Sequence, residues 1–237
     1  MQELARAIGN LGINSDLNQL GQFRTYCKEL IEWNKKINLT AITDCREVQH
    51  KHFLDSLTLL PIISRVSAKR DTLIDIGSGA GFPGMPIKIL WPDIRVTLVE
   101  SVNKKASFLN HMKDILGLDG IEILIGRAES LAHEPNVRES FDIVVSRAVA
   151  ELNTLAELTL PFCKIGGKVI LHKGRSVADE ITRASESLKL LGGTIDEVVE
   201  IQIDELKGKR YLVVLTKQES TPTIYPRKPG LPSKRPL

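Results

Sequence analysis

Between residues 72 and 217, short runs of β-branched and aliphatic residues alternate with stretches of helical periodicity, and this alternation limits the possible folds most strongly. A strand that is apolar along its whole length is buried on both faces, and helices between the strands supply the cover. The predicted strands are 72–76, 95–100, 121–126, 141–146 and 167–172, and the predicted helices lie near 84–91, 104–116, 151–162 and 177–191. The chain is therefore predicted to form a doubly wound α/β sheet.

The last two predicted strands, 194–203 and 210–217, are joined by a short polar connection that contains Gly208. A parallel crossover needs a dozen residues or more, so these two strands should pair antiparallel. A doubly wound, Rossmann-like sheet with a terminal antiparallel hairpin is typical of class I S-adenosylmethionine-dependent methyltransferases. That is the fold class predicted here.

The first 70 residues have a helical pattern. Ser15 is a predicted helix cap, and Asp44 is a second one, with Glu47 placed as in a capping box. Pro61 is expected to end or kink the second helix. The predicted divisions are an N-terminal helical extension at 1–70, a methyltransferase domain at 71–217 and a basic, Pro-rich tail at 218–237.

The tail concentrates positive charge and proline. From Lys217 to Leu237 there are five basic residues against one acid, and five of the eleven prolines of the chain. One reading is an extended arm that follows a polyanion, with contacts from Arg227, Lys228, Lys234 and Arg235. On this reading, deletion of 221–237 weakens RNA binding and leaves cofactor affinity nearly unchanged. The other reading is that Tyr225 and Leu231 pack back on the domain.

Composition places broad bounds on the chain. Its 237 residues are 42% hydrophobic, which excludes global disorder, and no apolar run approaches the ~20 residues of a membrane helix. Cys27, Cys45 and Cys163 are widely separated and lack metal-ligand spacing, so no metal site is expected. We interpret them as reduced thiols of a cytoplasmic protein.

The most informative motif is the run DIGSGAGFPG at residues 75–84, between a predicted strand and a predicted helix. Glycines let the backbone turn sharply there and approach a ligand closely. Read from Gly79 the run matches the dinucleotide pattern GxGxxG, and read from Asp75 it is DxGxGxG. Two cofactor classes are therefore possible from the glycines alone.

Asp75 favours one of them. A carboxylate beside Gly77 suits the positive sulfonium and amino groups of S-adenosylmethionine and repels a pyrophosphate. Pro83 and Pro86 also remove amide donors that a pyrophosphate needs at a helix N-terminus. We therefore predict S-adenosylmethionine as the cofactor, with Asp75, Gly77, Gly79 and Phe82 in its loop.

Other candidate cofactor residues follow the next strands. Glu100 ends the second strand, where an acid can accept bonds from the ribose hydroxyls. Ala128 and Glu129 follow the third strand, where an amide and a carboxylate could read the adenine edge. Arg147 follows the fourth strand, and Lys173 and Arg175 follow the fifth as candidate RNA contacts.

The end of the fourth strand also bears on the methyl acceptor. It lacks the Asn/Asp-Pro-Pro-aromatic motif of many amino-methylating enzymes, and it has no cysteine for attack at cytosine C5. A ring nitrogen with a free lone pair, such as guanine N7, needs neither device and no general base. Catalysis is then a matter of alignment, with Arg147 as the predicted positioning residue.

At these residues the chain resembles the bacterial small-subunit (16S) rRNA guanine-N7 methyltransferase family, formerly called glucose-inhibited division protein B. The matching segments are, in order, NLT (38–40), HFLDS (52–56), DIGSGAGFPGMPI (75–87), FDIVVSRAVA (141–150), HKG (172–174) and YPRKPGLPSKRPL (225–237). The resemblance implies methylation of guanine N7 in the 530 loop of 16S rRNA. It also implies cofactor contacts at Gly77, Phe82, Ala128, Glu129 and Arg147.

The chain departs from the family at His172, where many members have an apolar residue, and in its tail, which only part of the family has. The expected partner is 16S rRNA or the small ribosomal subunit, with no membrane and no DNA. Asn38, His52 and Asp55 have either structural or RNA-holding roles. The rival functions are a dinucleotide-dependent oxidoreductase and a non-catalytic RNA-binding module.

Overall fold

The computed structural model of the chain describes residues 1–66, 72–147, 150–203, 205–206 and 208–237. Its strands are β1 (Thr72–Ile76), β2 (Arg95–Glu100), β3 (Ile121–Ile125), β4 (Phe141–Ser146), β5 (Cys163–Lys173), β6 (Gly193–Ile201) and β7 (Arg210–Lys217). Over this described part they form one sheet in the order β3-β2-β1-β4-β5-β7-β6. Strands β1 to β5 are parallel, and β7 is antiparallel to β5 and β6. The predicted fold class is confirmed.

The helices cover both faces of this sheet. They are α1 (Gln2–Asn10), α2 (Leu17–Asn34), α3 (Cys45–Val48), α4 (Asp55–Leu57), α5 (Leu60–Val66), α6 (Gly84–Leu90), α7 (Asn103–Leu116), α8 (Ala128–Leu131), α9 (Leu152–Thr159), α10 (Val177–Leu190) and α11 (Leu231–Lys234). A π-helical turn, Gln49–Leu54, joins α3 to α4, and a 3-10 turn, Leu160–Phe162, follows α9.

Alternate residues of the strands divide the interior into two cores. Ile143 and Val145 of β4 face a core that also contains Phe23, Tyr26 and Phe53 of the N-terminal helices. Val144 faces the opposite core, beneath α8, α9 and α10. Because strand side chains alternate between faces, the apolar residues 143–145 of β4 are buried between the two cores.

The N-terminal helices differ from the sequence expectation in detail. The cap of α2 is Asp16, which forms a full capping box with Gln19, and not its neighbour Ser15. Asp44 caps α3 as predicted, through the Glu47 amide. Pro61 lies in the first turn of α5, where its missing N–H costs no hydrogen bond, so it starts this helix and ends none.

Two of the cysteines are paired. Cys27 in α2 and Cys45 in α3 are joined as a disulfide, with 6.0 Å between their Cα atoms. The sequence expectation of reduced thiols is wrong at these positions, since only tertiary packing brings α3 against α2. Cys163 is a buried free thiol, and burial raises its pKa to about 12.

The C-terminal segment, residues 221–237, is docked on the second core. Arg227 forms an ion pair with the fully buried Glu157 of α9, at 2.6 Å. Arg138 donates to the carbonyls of Thr221 and Tyr225 at 2.7 and 2.9 Å. The side chain of Tyr225 packs against the core beneath α9. The structure therefore supports a packed tail over a fully solvated arm.

The predicted boundary between residues 70 and 71 lies outside the described residues. The N-terminal helices share one continuous apolar core with β1, β2, β4 and β5, so this extension is packed into the domain. Of the helices in the described ranges, none has the length and apolar character needed to cross a membrane.

Candidate active site

The glycine run forms the loop between β1 and α6. The Gly77 and Ser78 amides donate to the Val99 carbonyl at 3.0 and 2.9 Å, which ties the loop to the end of β2. Gly77, Gly79 and Gly81 have φ of +75°, +60° and +94°, values that favour glycine. The positive φ values therefore explain why glycine stands at these three positions of the loop.

The glycines face different surroundings. A Cβ built at Gly81 would collide with the Tyr26 hydroxyl, and one at Gly84 would lie 2.5 Å from Leu98 Cδ2. At Gly77, no atom of the described residues lies within 4 Å of such a Cβ. Gly81 and Gly84 are therefore required by packing, whereas Gly77 faces open space that a ligand can fill.

Asp75 lies beneath the loop and is fully buried. Its Oδ2 accepts the Gly84 amide at 2.9 Å, while its Oδ1 has no hydrogen-bond partner among the described residues. Burial raises the pKa of Asp75 to about 7, against the lowering effects of the Gly84 amide and Arg147. A buried carboxylate oxygen without a partner fits a positively charged ligand at the loop.

Glu100 fixes the other side of the loop. One of its oxygens accepts the Gly79 amide at 3.0 Å, and the other accepts the Val102 amide at 2.7 Å. A carboxylate has about four acceptor positions, so each oxygen keeps capacity for a hydroxyl donor. The geometry is suited to the two hydroxyls of a ribose.

A cavity of about 160 Å³ opens beside this loop. Its lining includes Gly77, Glu100, Ala128, Glu129 and Ser146. Ala128 begins α8, where a backbone N–H has no intrahelical acceptor, and Glu129 is almost fully buried. The structure thus brings together cofactor candidates that follow three different strands.

Phe82 and Asp75 lie behind the loop and do not line this cavity. The Phe82 ring stacks between Tyr26 and His52, with centroid distances of 5.4 and 4.6 Å. The Tyr26 hydroxyl donates to the Ala80 carbonyl, so α2 holds the loop from below. Tyr26 is a residue that the sequence did not single out, because its helix is remote along the chain.

Arg147 lies at the end of β4, with its guanidinium 5.1 Å from the centroid of the Phe82 ring. It donates to Asp55 Oδ2 at 3.1 Å, to the Lys51 carbonyl at 3.0 Å and to His52 Nδ1 at 3.2 Å. The π-helical turn therefore supplies most of its partners. His52 and Asp55 both contact Arg147, and their spacing of three residues in the sequence did not indicate this shared partner.

The histidine in this cluster is held neutral. Burial and the Arg147 charge lower the pKa of His52 to about 4. Its Nε2 lies 2.7 Å from the Thr40 hydroxyl. Nearby, His172 Nε2 lies 3.0 Å from the Asp55 carbonyl, so β5 is also tied to the N-terminal helices.

A larger cavity of about 710 Å³ has Arg147 in its lining. Its lining carries both charge signs, with Arg175, Lys209 and Arg210 as well as Asp55 and Glu151. Ser146 lines the smaller cavity and the next residue, Arg147, lines the larger one. Both cavities therefore reach the carboxyl end of β4, where open α/β sheets bind ligands.

Among known proteins, the family model described as rRNA small subunit methyltransferase G matches residues 19–211. The chain belongs to this family of methyltransferases. A relative named ribosomal RNA small subunit methyltransferase G from Dehalococcoides mccartyi is 47% identical over 237 residues, which is 100% of both chains. One with the same name from Roseiflexus castenholzii is 46% identical, again over 100% of both chains.

Solved structures show the same fold. M. jannaschii TYW2 in complex with AdoMet matches with a TM-score of 0.53 and 15% identity, over 77% of this chain and 78% of that one. TrmN from Thermus thermophilus matches with a TM-score of 0.52 and 16% identity, over 71% of this chain and 53% of that one.

The RNA-binding residues predicted from the sequence divide into two groups. Lys173 is buried, and its ammonium pairs with Glu180 and donates to the Ala150 carbonyl at 2.5 Å. Arg227 is paired with Glu157. In the described structure the charges of these two side chains are paired within the fold. The other predicted RNA contacts are exposed: Arg175, Lys228, Lys234 and Arg235.

Proposed function

We propose that this chain transfers a methyl group from S-adenosylmethionine to guanine N7 in the 530 loop of 16S rRNA, in the cytoplasm. The observation that carries the proposal is that two cavities of different character both reach the carboxyl end of β4. The smaller one is lined by Gly77 of the glycine loop, with the buried Asp75 and its unpaired Oδ1 behind that loop, and the larger one has arginines in its lining. Full-length relatives named as small-subunit rRNA methyltransferases support the same substrate class.

The smaller cavity is the proposed cofactor site. When bound there, S-adenosylmethionine supplies an electrophilic methyl group on a positive sulfonium. Gly77 leaves open space for the charged amino-acid part, and the buried Asp75 behind the loop, with its unpaired Oδ1, favours a positive ligand there through its charge. Glu100 holds the ribose, and Ala128 with Glu129 faces the adenine.

The larger cavity is the proposed acceptor site. Guanine N7 carries a lone pair and no proton, so the acceptor nitrogen needs no general base. The groups at the junction agree with this chemistry, since the lowered pKa of His52 keeps its ring neutral and hydrogen-bonded at physiological pH. The chain's contribution is alignment and exclusion of water.

Arg147 is the proposed positioning residue between the two sites. Its contacts to Lys51, Asp55 and His52 use three of the five N–H groups of a guanidinium. A fork onto guanine O6 with the remaining donors would orient the base and leave N7 open for attack. The packing of Arg147 over Phe82 fixes the plane of this fork.

The exposed cations are the proposed RNA contacts. Arg175 lies at the rim of the larger cavity, and Lys228, Lys234 and Arg235 lie on the C-terminal segment. Phosphate contacts of this kind position an RNA without reading its sequence. Lys173 and Arg227 are not included, because their charges are already paired within the fold.

The deciding experiment is methyl transfer to 16S rRNA and to small subunits from cells that lack this enzyme. Labelled S-adenosylmethionine measures turnover, and borohydride reduction followed by aniline cleavage maps N7-methylguanine. We expect one modified guanine in the 530 loop. Modification at an exocyclic amine, at a cytosine or in the large-subunit RNA would contradict the proposal.

Two titrations separate the rival functions. We expect S-adenosylhomocysteine to bind and NADH not to bind, because Asp75 repels a pyrophosphate. Binding of rRNA without methyl transfer would favour a non-catalytic RNA-binding module.

A further inference from the structure

One end of the smaller cavity is built by the C-terminal segment. The Gly230 amide donates to Glu129 Oε1 at 2.8 Å, across 101 positions of sequence. Three residues later, Ser233 lines the same cavity as Gly77 and Glu100. The segment therefore reaches a site whose other walls include β1, β2, β4, α8 and α9.

We propose that the turn from Gly230 to Ser233 is a positioning element for the bound cofactor. It holds the Glu129 carboxylate in place and closes the cavity at the Glu129 end. The inference rests on the assignment of this cavity to S-adenosylmethionine under the proposed function. It gives the C-terminal segment a role in cofactor affinity that its charge and proline content did not indicate.

The turn is anchored from beneath by α9. Arg227 pairs with Glu157, which is fully buried, through its Nε and Nη2 and through its backbone amide. Thr154 donates to the Pro232 carbonyl at 3.2 Å. A buried carboxylate needs such partners, so the segment and α9 fix each other. The same helix contributes Leu155 and Leu158 to the cavity lining.

The geometry of Gly230 supports the assignment. Its φ is +81°, in the left-handed region that favours glycine. This conformation turns the amide toward Glu129, and the first turn of α11 then begins at Leu231. Glu129 is 7% exposed, so its carboxylate has few orientations once Gly230 holds one oxygen. The other oxygen, 4.0 Å from Arg127 Nε, is left for the ligand.

Full-length point variants test the inference. Ser233→Trp places a large side chain at the cavity wall, and Lys234→Trp places the same side chain on the adjacent position, which does not line the cavity. Both native residues are exposed, so both variants should fold. In calorimetric titration with S-adenosylhomocysteine, we expect Ser233→Trp to raise Kd by at least about tenfold and Lys234→Trp to leave it unchanged.

A second pair of variants tests the route through Glu129. Gly230→Ala strains the turn and moves the amide, and we expect a rise in Kd of about three- to tenfold. In a Glu129→Ala background the same change should have no further effect, because the acceptor is gone. Melting temperatures of all variants report whether the segment stays docked.

The outcomes separate the two claims. If S-adenosylhomocysteine binds the unmodified chain and all variants equally, the positioning role of the turn is overturned and the proposed function stands. If the two tryptophan variants weaken binding equally, the role is also overturned, because position relative to the cavity does not matter. If the unmodified chain binds NADH and not S-adenosylhomocysteine, the proposed function itself fails.

Discussion

The N-terminal helices and the C-terminal segment are attached to the same sheet in different ways. The helices join a continuous apolar core, with Tyr26 and Phe53 fully buried on one face. The segment is held on the other face largely by hydrogen bonds and the Arg227–Glu157 ion pair. The helices support Arg147 at the larger cavity, and the segment supports Glu129 at the smaller one. Each addition to the common fold therefore serves one half of the candidate site.

The largest effect is expected at Gly77, in the loop that lines the smaller cavity. Gly77→Val should abolish binding of S-adenosylhomocysteine, because the side chain would fill ligand space and a β-branched residue disfavours the loop's φ of +75° at this position. The fold should survive, since a Cβ at position 77 meets open space and no neighbouring side chain of the described residues. Calorimetric titration and a melting curve measure the two effects. Gly84→Val is the control, and it should lower the melting temperature instead, since its Cβ meets Leu98.

The half supported by the N-terminal helices is tested at Arg147. Arg147→Ala should lower turnover by about 100-fold through misplacement of the acceptor. The free energy of unfolding should fall by only about 1–3 kcal/mol, because Asp55 keeps its ion pair with Arg210 at 2.8 Å. Single-turnover rates and urea unfolding measure these quantities.

Arg147→Lys is the matched control, since it keeps the charge and loses the planar fork. Turnover near that of the alanine variant would indicate that the planar fork of the guanidinium is required and that its charge alone is not sufficient. Normal turnover in Arg147→Ala would remove this residue from the site.

A pH series tests the cofactor half through Asp75. Because burial raises its pKa to about 7, the carboxylate is ionised above that pH and protonated below it. Affinity for S-adenosylmethionine should therefore be constant above pH 7 and fall by up to about tenfold per unit below it. Stability of the ligand-free protein changes in the opposite sense. The raised pKa favours the folded state at low pH, and that contribution is lost as pH rises from about 4 to about 7.

Asp75→Asn is the control for both effects. The difference in unfolding free energy between this variant and the unmodified chain should increase with pH over that range, in favour of the variant. A parallel pH dependence in both proteins would show that another group is responsible.

The smallest expected effect concerns charge on the C-terminal segment. Replacing Lys228, Lys234 and Arg235 by serine should flatten the slope of log affinity for rRNA against log salt by up to about 2.5 units, since each phosphate contact contributes roughly 0.7–0.9. Affinity for S-adenosylhomocysteine should not change, because these exposed side chains lie outside the cavity. An unchanged salt slope would leave the segment with its packing role alone.

The sheet and the glycine loop could be predicted from the sequence because their signals are local. Runs such as 72–76 and 141–146 are short and rich in aliphatic residues, and Asp75 lies two positions before Gly77. The partners of Arg147 and Glu129 could not be predicted this way. Lys51 and Asp55 lie more than ninety positions from Arg147, and Gly230 lies 101 positions from Glu129.

The tail shows the limit of composition as evidence. Its prolines and cations indicate a solvated arm, but nothing in the composition shows that Glu157 is buried on α9 and needs a cation. The disulfide between Cys27 and Cys45 was missed for the same reason, since both helices had to be placed before their contact was visible.

Three of the four glycines in the run 75–84, Gly77, Gly81 and Gly84, respond to different selective pressures. A gene library selected only for folded protein should retain substitutions at position 77 more often than at positions 81 and 84, where a side chain meets Tyr26 or Leu98. A library selected for ribosome modification should lose them at all three. Comparison of the substitutions retained in the two libraries would then identify the ligand-facing residue of the loop without a structure of the bound ligand.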